Sequence, residues 1–177
     1  GARMQEIADL AEINKGLLHY YFKSKDKLFD KIFGELIKDF IPEVNTLFES
    51  DLPLLEKIRM FINSYMDMLI KNPYLPGFIL HELNKNPDKF IDKVLKGNEK
   101  PNPLRLMMQI QLETQLGKIK PVNPMQLLMN MVSMCVFPFI GKPILQTALN
   151  ISEKEFLMLM ELRKKEVYNF IEAALKI

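Results

Sequence analysis

Apolar residues recur along this chain at the three- and four-residue spacing of helices that hide one face, and almost nowhere do they alternate as in strands. In the first stretch, residues 3 to 25, Ile7, Leu10, Ala11, Ile13, Leu18 and Phe22 face inward, and Ala8 is small enough to let a second helix cross close over a first. Asn14 falls between the two halves, where its side-chain oxygen caps the second helix. That leaves Lys15, Leu17, His19, Tyr20 and Tyr21 on the exposed front of this short helix. A long helix then starts at Ser24 or Asp26, with Leu28, Phe29, Ile32, Phe33, Leu36, Ile37 and Phe40 at helical spacing; Pro42 predicts a kink or an end.

Downstream, the pairs Asn72-Pro73, Asn86-Pro87, Asn102-Pro103 and Asn123-Pro124 read as helix starts. They predict helices at 53–71, 75–85, 87–96, 103–117 and 124–148, the last broken near Pro138 and Pro143. Gly97 and Gly117 are helix-stopping residues, and the polar segment 97–103 reads as a mobile loop. Ser152 with Glu155 forms a capping box opening a final helix to about Lys176. Its Phe156, Leu159, Met160, Val167, Phe170 and Ala174 fall near the helical period.

Composition supports an all-α chain. Of 177 residues 48% are apolar and only 7 are glycine, enough for a substantial core in one or two small domains. The formal net charge is only +2, and the first 25 residues carry four basic against three acidic side chains, so charge alone does not announce a nucleic-acid binder. The single cysteine, Cys135, excludes an internal disulfide and fits a reducing, cytoplasmic setting; its neighbours Met134 and Val136 predict a packed thiol, not a sensor. No signal peptide or lipidation motif is visible. The most apolar run, residues 125–145, is interrupted by Asn130, Ser133, Pro138 and Lys142, which argues for burial against its own core and a partner, not in a membrane.

His81-Glu82 invites a metal or acid–base reading, but the zinc-protease pattern needs a histidine where Lys85 stands. With two histidines and one cysteine no metal cluster can be assembled, and no cofactor or enzymatic activity is implied.

The run Met4 to Lys25, with Ile7-Ala8, Asn14-Lys15-Gly16, Tyr20-Tyr21-Phe22 and Lys23-Ser24-Lys25, closely resembles the DNA-binding segment of TetR-family transcriptional regulators. Beyond residue 33 or so the chain resembles the family in helical layout only. The resemblance implies a helix-turn-helix head over residues 1–40, with a further helix preceding Gly1, and a ligand-binding and dimerisation domain over 41–177. Gln5 then stands at a helix-start position that touches a base or phosphate. Lys15 and Leu17 stand at base-reading positions, Gly16 permits close backbone approach, and Tyr21 and Lys25 stand at phosphate-contacting ones. Three residues depart from the family pattern. Glu12 replaces a common turn glycine and so faces a left-handed conformation, Leu17 replaces a hydroxyl residue, and His19 replaces a tyrosine.

The family also implies an inducer held among the central helices. Phe61, Tyr65, Met68, Phe78, Met107, Met108, Met131, Met134 and Phe137 are the candidate lining, because methionine and aromatic side chains adapt to varied apolar ligands; plain core packing is the competing reading. The 125–145 helix and the last helix would pair across a twofold axis, giving a homodimer on a palindromic operator. The expectation is a ligand-responsive repressor in which the 26–49 helix acts as a lever. The alternatives are a DNA binder without a functional pocket or, less favoured, a helical enzyme.

Overall fold

The computed structural model describes the backbone at residues 4, 8–9, 12–95 and 100–177, and side chains there except at 25, 26, 29, 30, 89 and 93–95. Gln5, Ile7, Leu10, Ala11 and Gly97, and the side chains of Lys25 and Phe29, therefore lie outside the described residues. Among the described residues all regular structure is helical. Met4, Ala8 and Asp9 belong to a first helical stretch. The helices that follow are α1 (Lys15–Phe22), α2 (Lys25–Glu49), α3 (Leu54–Lys71), α4 (Leu75–Lys85), α5 (Pro87–Leu95), α6 (Leu104–Gln115), α7 (Pro124–Ile140), α8 (Lys142–Leu149) and α9 (Glu153–Leu175).

The chain is built around α3. Leu54, Ile58, Phe61, Ile62, Met66 and Leu69, spaced by three and four residues, turn a broad side of it into the core. Against that side lie α9 through Phe156, Met160, Val167 and Ile171, and α7 through Leu127, Met131, Cys135 and Phe139. The C-terminal half of α2 closes the assembly with Val44 and Phe48, and α6 with Leu106 and Ile110. Each fully buried large apolar side chain contributes about 1.5–3 kcal/mol, so this continuous cluster, not the local helix preferences, holds the elements together. A second, small cluster of Ala8, Leu18 and Leu28, flanked by Met4 and Phe22, seats α1 on the start of α2.

Polar groups tie the junctions. The Ser152 hydroxyl accepts from the Glu155 amide at 3.3 Å, while the Glu155 carboxylate accepts from the Ser152 amide at 2.7 Å, so the expected capping box opens α9. The Ser152 hydroxyl, which also donates to that carboxylate at 2.6 Å, and then the Ser152 amide hold the Glu155 carboxyl below its ordinary range. Lys142, expected only to interrupt an apolar run, is itself buried, with Nζ 2.6 Å from Glu153 Oε1 and over the Tyr74 and Phe156 rings. It pins the first turn of α8 to that of α9.

Several expectations change. Pro42 lies within α2, which runs on to Glu49, because Val44 and Phe48 beyond it are anchored on α3. Of the four Asn-Pro pairs, Asn123 caps α7 by accepting from the amides of Met125 and Gln126, and Asn86 stands directly before α5, its carbonyl accepting from the Phe90 amide at 3.1 Å; Asn86 also ends α4, and Asn72 ends α3. Pro138 is carried inside α7, and the break comes at Gly141, where α7 and α8 bend by 69°. Together these two have the length and composition of a broken span, but no single helix among the described residues is long and apolar enough to cross a membrane. Gly117, at φ 65°, ends α6 as expected. The described part of the 97–103 loop is tethered: buried Asn45 donates to the Lys100 carbonyl at 2.9 Å and accepts from the Asn102 amide at 2.8 Å. On α9, Phe156, Met160 and Val167 are buried, whereas Leu159, Phe170 and Ala174 face outward.

Burial pushes the Cys135 thiol up to about 12, with Arg163 opposing weakly, and pushes the Tyr65 phenol up to about 12, with Cys135 adding to it. The folded state therefore holds the neutral thiol, whereas an unfolded chain ionises it near its ordinary 9.0. The stability this preference represents is intact below pH 9 and lost as pH rises toward 12. Urea midpoints should fall between pH 9 and 11, less so in Cys135→Ala; identical pH slopes in both proteins would contradict the assignment.

Candidate nucleic-acid interface

The turn entering α1 forms through backbone bonds: the Glu12 amide donates to the Asp9 carbonyl at 3.2 Å and the Ile13 amide to the Ala8 carbonyl at 3.0 Å. Glu12 takes the left-handed conformation foreseen for it, φ 54°, where family members commonly have glycine; it costs on the order of 1 kcal/mol. Ile13, expected inside, is exposed, because it stands in this turn ahead of α1 and its amide, not its side chain, makes the inward bond. Asn14 takes up its expected place as N-cap, its Oδ1 accepting from the Gly16 amide at 2.6 Å.

The cap also gives Gly16 a local role. A Cβ at this position would sit 2.9 Å from Asn14 Oδ1, so any larger residue pushes the cap aside. Asn14→Ala should cost about 0.5–2 kcal/mol of stability. Gly16→Ala gains helix propensity as it loses the cap, so its melting temperature should change little. If Gly16→Ala nevertheless weakens DNA binding strongly in a gel-shift titration, glycine is also needed for close backbone approach.

Behind α1 only Leu18 is buried, against Ala8 and Leu28. Apart from Phe22, half-buried against the same cluster, everything else the sequence pointed to on this helix faces outward. Leu17 is 51% exposed, Tyr20 76% and Tyr21 68%, and Lys15, Gly16 and His19 are also exposed. The rings of Tyr20 and Tyr21 meet edge to face, with centroids 5.5 Å apart. The helix ends at Lys23, φ 55°, whose amide donates to the His19 carbonyl at 2.8 Å. Ser24 restarts the chain, its Oγ accepting from the Lys27 amide at 3.2 Å. Lys23 and Lys27 are exposed beside this junction and add cations to the same end. Lys27, which motif reasoning passed over, is legible as an exposed position in the first turn of α2. Lysine and tyrosine here suit phosphate oxygens, and Lys15 and Leu17 at the helix start suit a base edge and a thymine methyl.

The central-helix candidates divide. Phe61, Tyr65 and Met68 line an apolar cavity of about 320 Å³ between α2, α3, α4 and α7, closed on one side by Pro101 and Pro103. Phe78 borders a separate recess with Phe33 and Tyr74, and Met108 an outer cleft beside Arg105. Met131 is fully buried in the core, Met134 borders a cleft with Arg163 and Phe170, Met107 is half-buried away from the cavity, and Phe137 is 61% exposed. The cavity wall missed by a search for methionine and aromatics is aliphatic: Leu128, Val132 and Val136 at four-residue spacing on α7, with Ile37, Ile41 and Val44 on α2. That spacing was legible, but it reads equally as ordinary core. Among the described residues no group of three or more His, Cys, Asp or Glu side chains converges on a possible metal position.

A short helix capped at Asn14, seated by one leucine and presenting lysine and aromatic side chains outward, defines a helix-turn-helix protein of the all-α class. Residues 1–32 match the model of the family described as bacterial regulatory proteins, tetR family. Over 121 residues the chain is 26% identical to an uncharacterized HTH-type transcriptional regulator, YhgD, of Bacillus subtilis (strain 168); the match covers 68% of this chain and 63% of that protein. In its N-terminal segment the chain is thus similar to the tetR family, and over a longer stretch to a transcriptional regulator.

Proposed function

We propose that this protein is a cytoplasmic DNA-binding transcriptional repressor that reads a palindromic operator as a homodimer and is released by a small apolar or amphipathic effector. The observation that carries the DNA reading is the outward display of Lys15, Leu17, His19, Tyr20 and Tyr21 on a helix fastened from behind by Leu18. The apolar side chains left outside on α7 and α9, among them Phe137, Leu162 and Phe170, support pairing of two copies. Two heads then meet successive major grooves about 34 Å apart. The Bacillus subtilis relative's description as a transcriptional regulator agrees with this reading.

The lever is α2. Its first turn packs on the α1 seat through Leu28, and its middle and end wall the cavity through Ile37, Phe40, Ile41, Val44 and Phe48. A ligand that reshapes that wall tilts the helix carrying the head. Near-complete release requires it to prefer the non-binding shape by on the order of 5 kcal/mol. An apolar ligand that binds yet leaves operator affinity unchanged would remove the release mechanism.

Selection of bound sequences from random DNA tests the reading head. Lys15→Ala should cost about 1–3 kcal/mol and relax preference at one position, and Leu17→Ala should relax a thymine position. Uniform weakening on every sequence would make Lys15 a phosphate contact, and recovery of no preferred sequence by the unmodified protein would overturn the proposal.

A further inference from the structure

We infer that the cavity between α2, α3, α4 and α7 takes an uncharged, largely hydrocarbon molecule with at most one hydroxyl or carbonyl group, which pairs with the Tyr65 hydroxyl. This rests on the effector reading above and specifies its chemistry. Among the described residues, every side chain lining the cavity is hydrocarbon except the Met68 thioether and the Tyr65 phenol. The phenol is thus the only described lining side chain able to donate a hydrogen bond, and burial keeps it protonated across the physiological range. No described lysine, arginine, histidine or carboxylate reaches the wall. A charged head group drawn inside would lose its hydration and meet no counter-charge, a cost of several kcal/mol.

The acidic groove outside is walled off from the cavity. Phe40 and Met68 form the partition between the cavity and an outer groove carrying Glu35, Asp39, Glu43 and Asp67. Those carboxylates would repel an anionic head. Several are already engaged: Asp67 pairs with Lys164 at 2.6 Å, Glu43 accepts from the Ser64 hydroxyl at 2.7 Å, and Lys71 stands in the same groove. An ammonium head held inside the cavity is kept from the remaining carboxylates by the Phe40–Met68 partition. The volume, about 320 Å³, lies at the low end of the range of small-molecule sites.

The test uses three probes of one chain length, 1-decanol, decanoate and decylammonium, titrated calorimetrically into the full chain at pH 7.5. The neutral alcohol should bind saturably and at least tenfold tighter than either ion. Tyr65→Phe should weaken 1-decanol roughly three- to tenfold, the worth of one hydrogen bond. Val132→Trp, or Val136→Phe should the first variant unfold by circular dichroism, should abolish binding by filling the space. Equal or tighter binding of either ion, no binding of 1-decanol, or binding that survives the filled cavity overturns the inference. Operator affinity of the same samples is measured separately. If the protein holds its operator but binds none of the probes, the inference falls and the DNA reading stands. If 1-decanol binds as described but no operator is found, the reverse holds.

Discussion

A protein carrying both Phe137→Glu and Phe170→Glu is expected to run as a folded monomer and to lose roughly 10²–10⁴-fold in affinity for a two-half-site operator, the advantage of linked binding. Phe137 is 61% and Phe170 64% exposed, so neither holds its own subunit together; that work falls to Phe156, Met160, Val167 and Cys135 on the inward sides of the same helices. Their neighbours outside are also apolar, with Met129 on α7 and Leu159 and Leu162 on α9 exposed. The two helices are fastened to each other, Arg163 Nε donating to the Met134 carbonyl at 2.8 Å, and Phe170 borders the cleft that Met134 lines. They therefore present one surface. A twofold axis through it would bring four new carboxylates together, and repulsion is added to the loss of buried aromatic area. Sedimentation velocity reads the oligomeric state, and gel shifts on one and two half-sites read the affinities. A double variant that remains dimeric would show that the subunits meet elsewhere.

Lys57→Ala is expected to lower stability by about 3–5 kcal/mol, among the larger effects of any single replacement here. Lys57 is almost wholly buried in the first turn of α3, and its Nζ donates to the Phe48 carbonyl at 2.9 Å. That carbonyl belongs to the last turn of α2, where the helix has no further amide to offer and where positive charge is favoured. Burial lowers the Lys57 pKa, and the nearby Arg105 lowers it further, while Asp51 and Glu113 oppose them. Truncation to alanine removes the stem from a packed site and leaves the carbonyl without its donor. Lys57→Met keeps the stem and loses only the charge and the bond, so it should cost about 1–3 kcal/mol. Chemical denaturation of the three proteins separates the contributions: a Lys57→Met protein as stable as the unmodified one would mean that packing, not the helix-end bond, is what Lys57 provides, and equal losses in both variants would mean that the stem contributes nothing. Because α2 also carries the reading head, Lys57→Met should in addition weaken the response of operator binding to effector.

Much of the head was legible in the linear chain because its signals are local. Asn14 capping α1, Glu12 in the left-handed region, Ser24 and Ser152 opening their helices, and the outward set from Lys15 to Tyr21 each depend on residues within a turn or two. Helix periods survived for the same reason, so that 75–85 and 54–71 match their predicted ranges within a residue. The prolines misled where local preference and distant packing disagree. Pro42 and Pro138 remain inside helices because Phe48 and Phe139, farther along, are locked into the core.

What the order of residues determined by itself is the all-α class, the helix-turn-helix and its exposed face, since hydrogen-bonded caps and a period near 3.6 are properties of neighbouring residues. Only the tertiary structure decided which apolar side chains wall the cavity, that Asn45 tethers the loop bearing Pro101, and that Lys57 and Lys142 are buried. Those outcomes depend on contacts between residues nine to several dozen positions apart. A phenylalanine at a helical period looks the same in the chain whether it meets a core, a ligand or a second subunit.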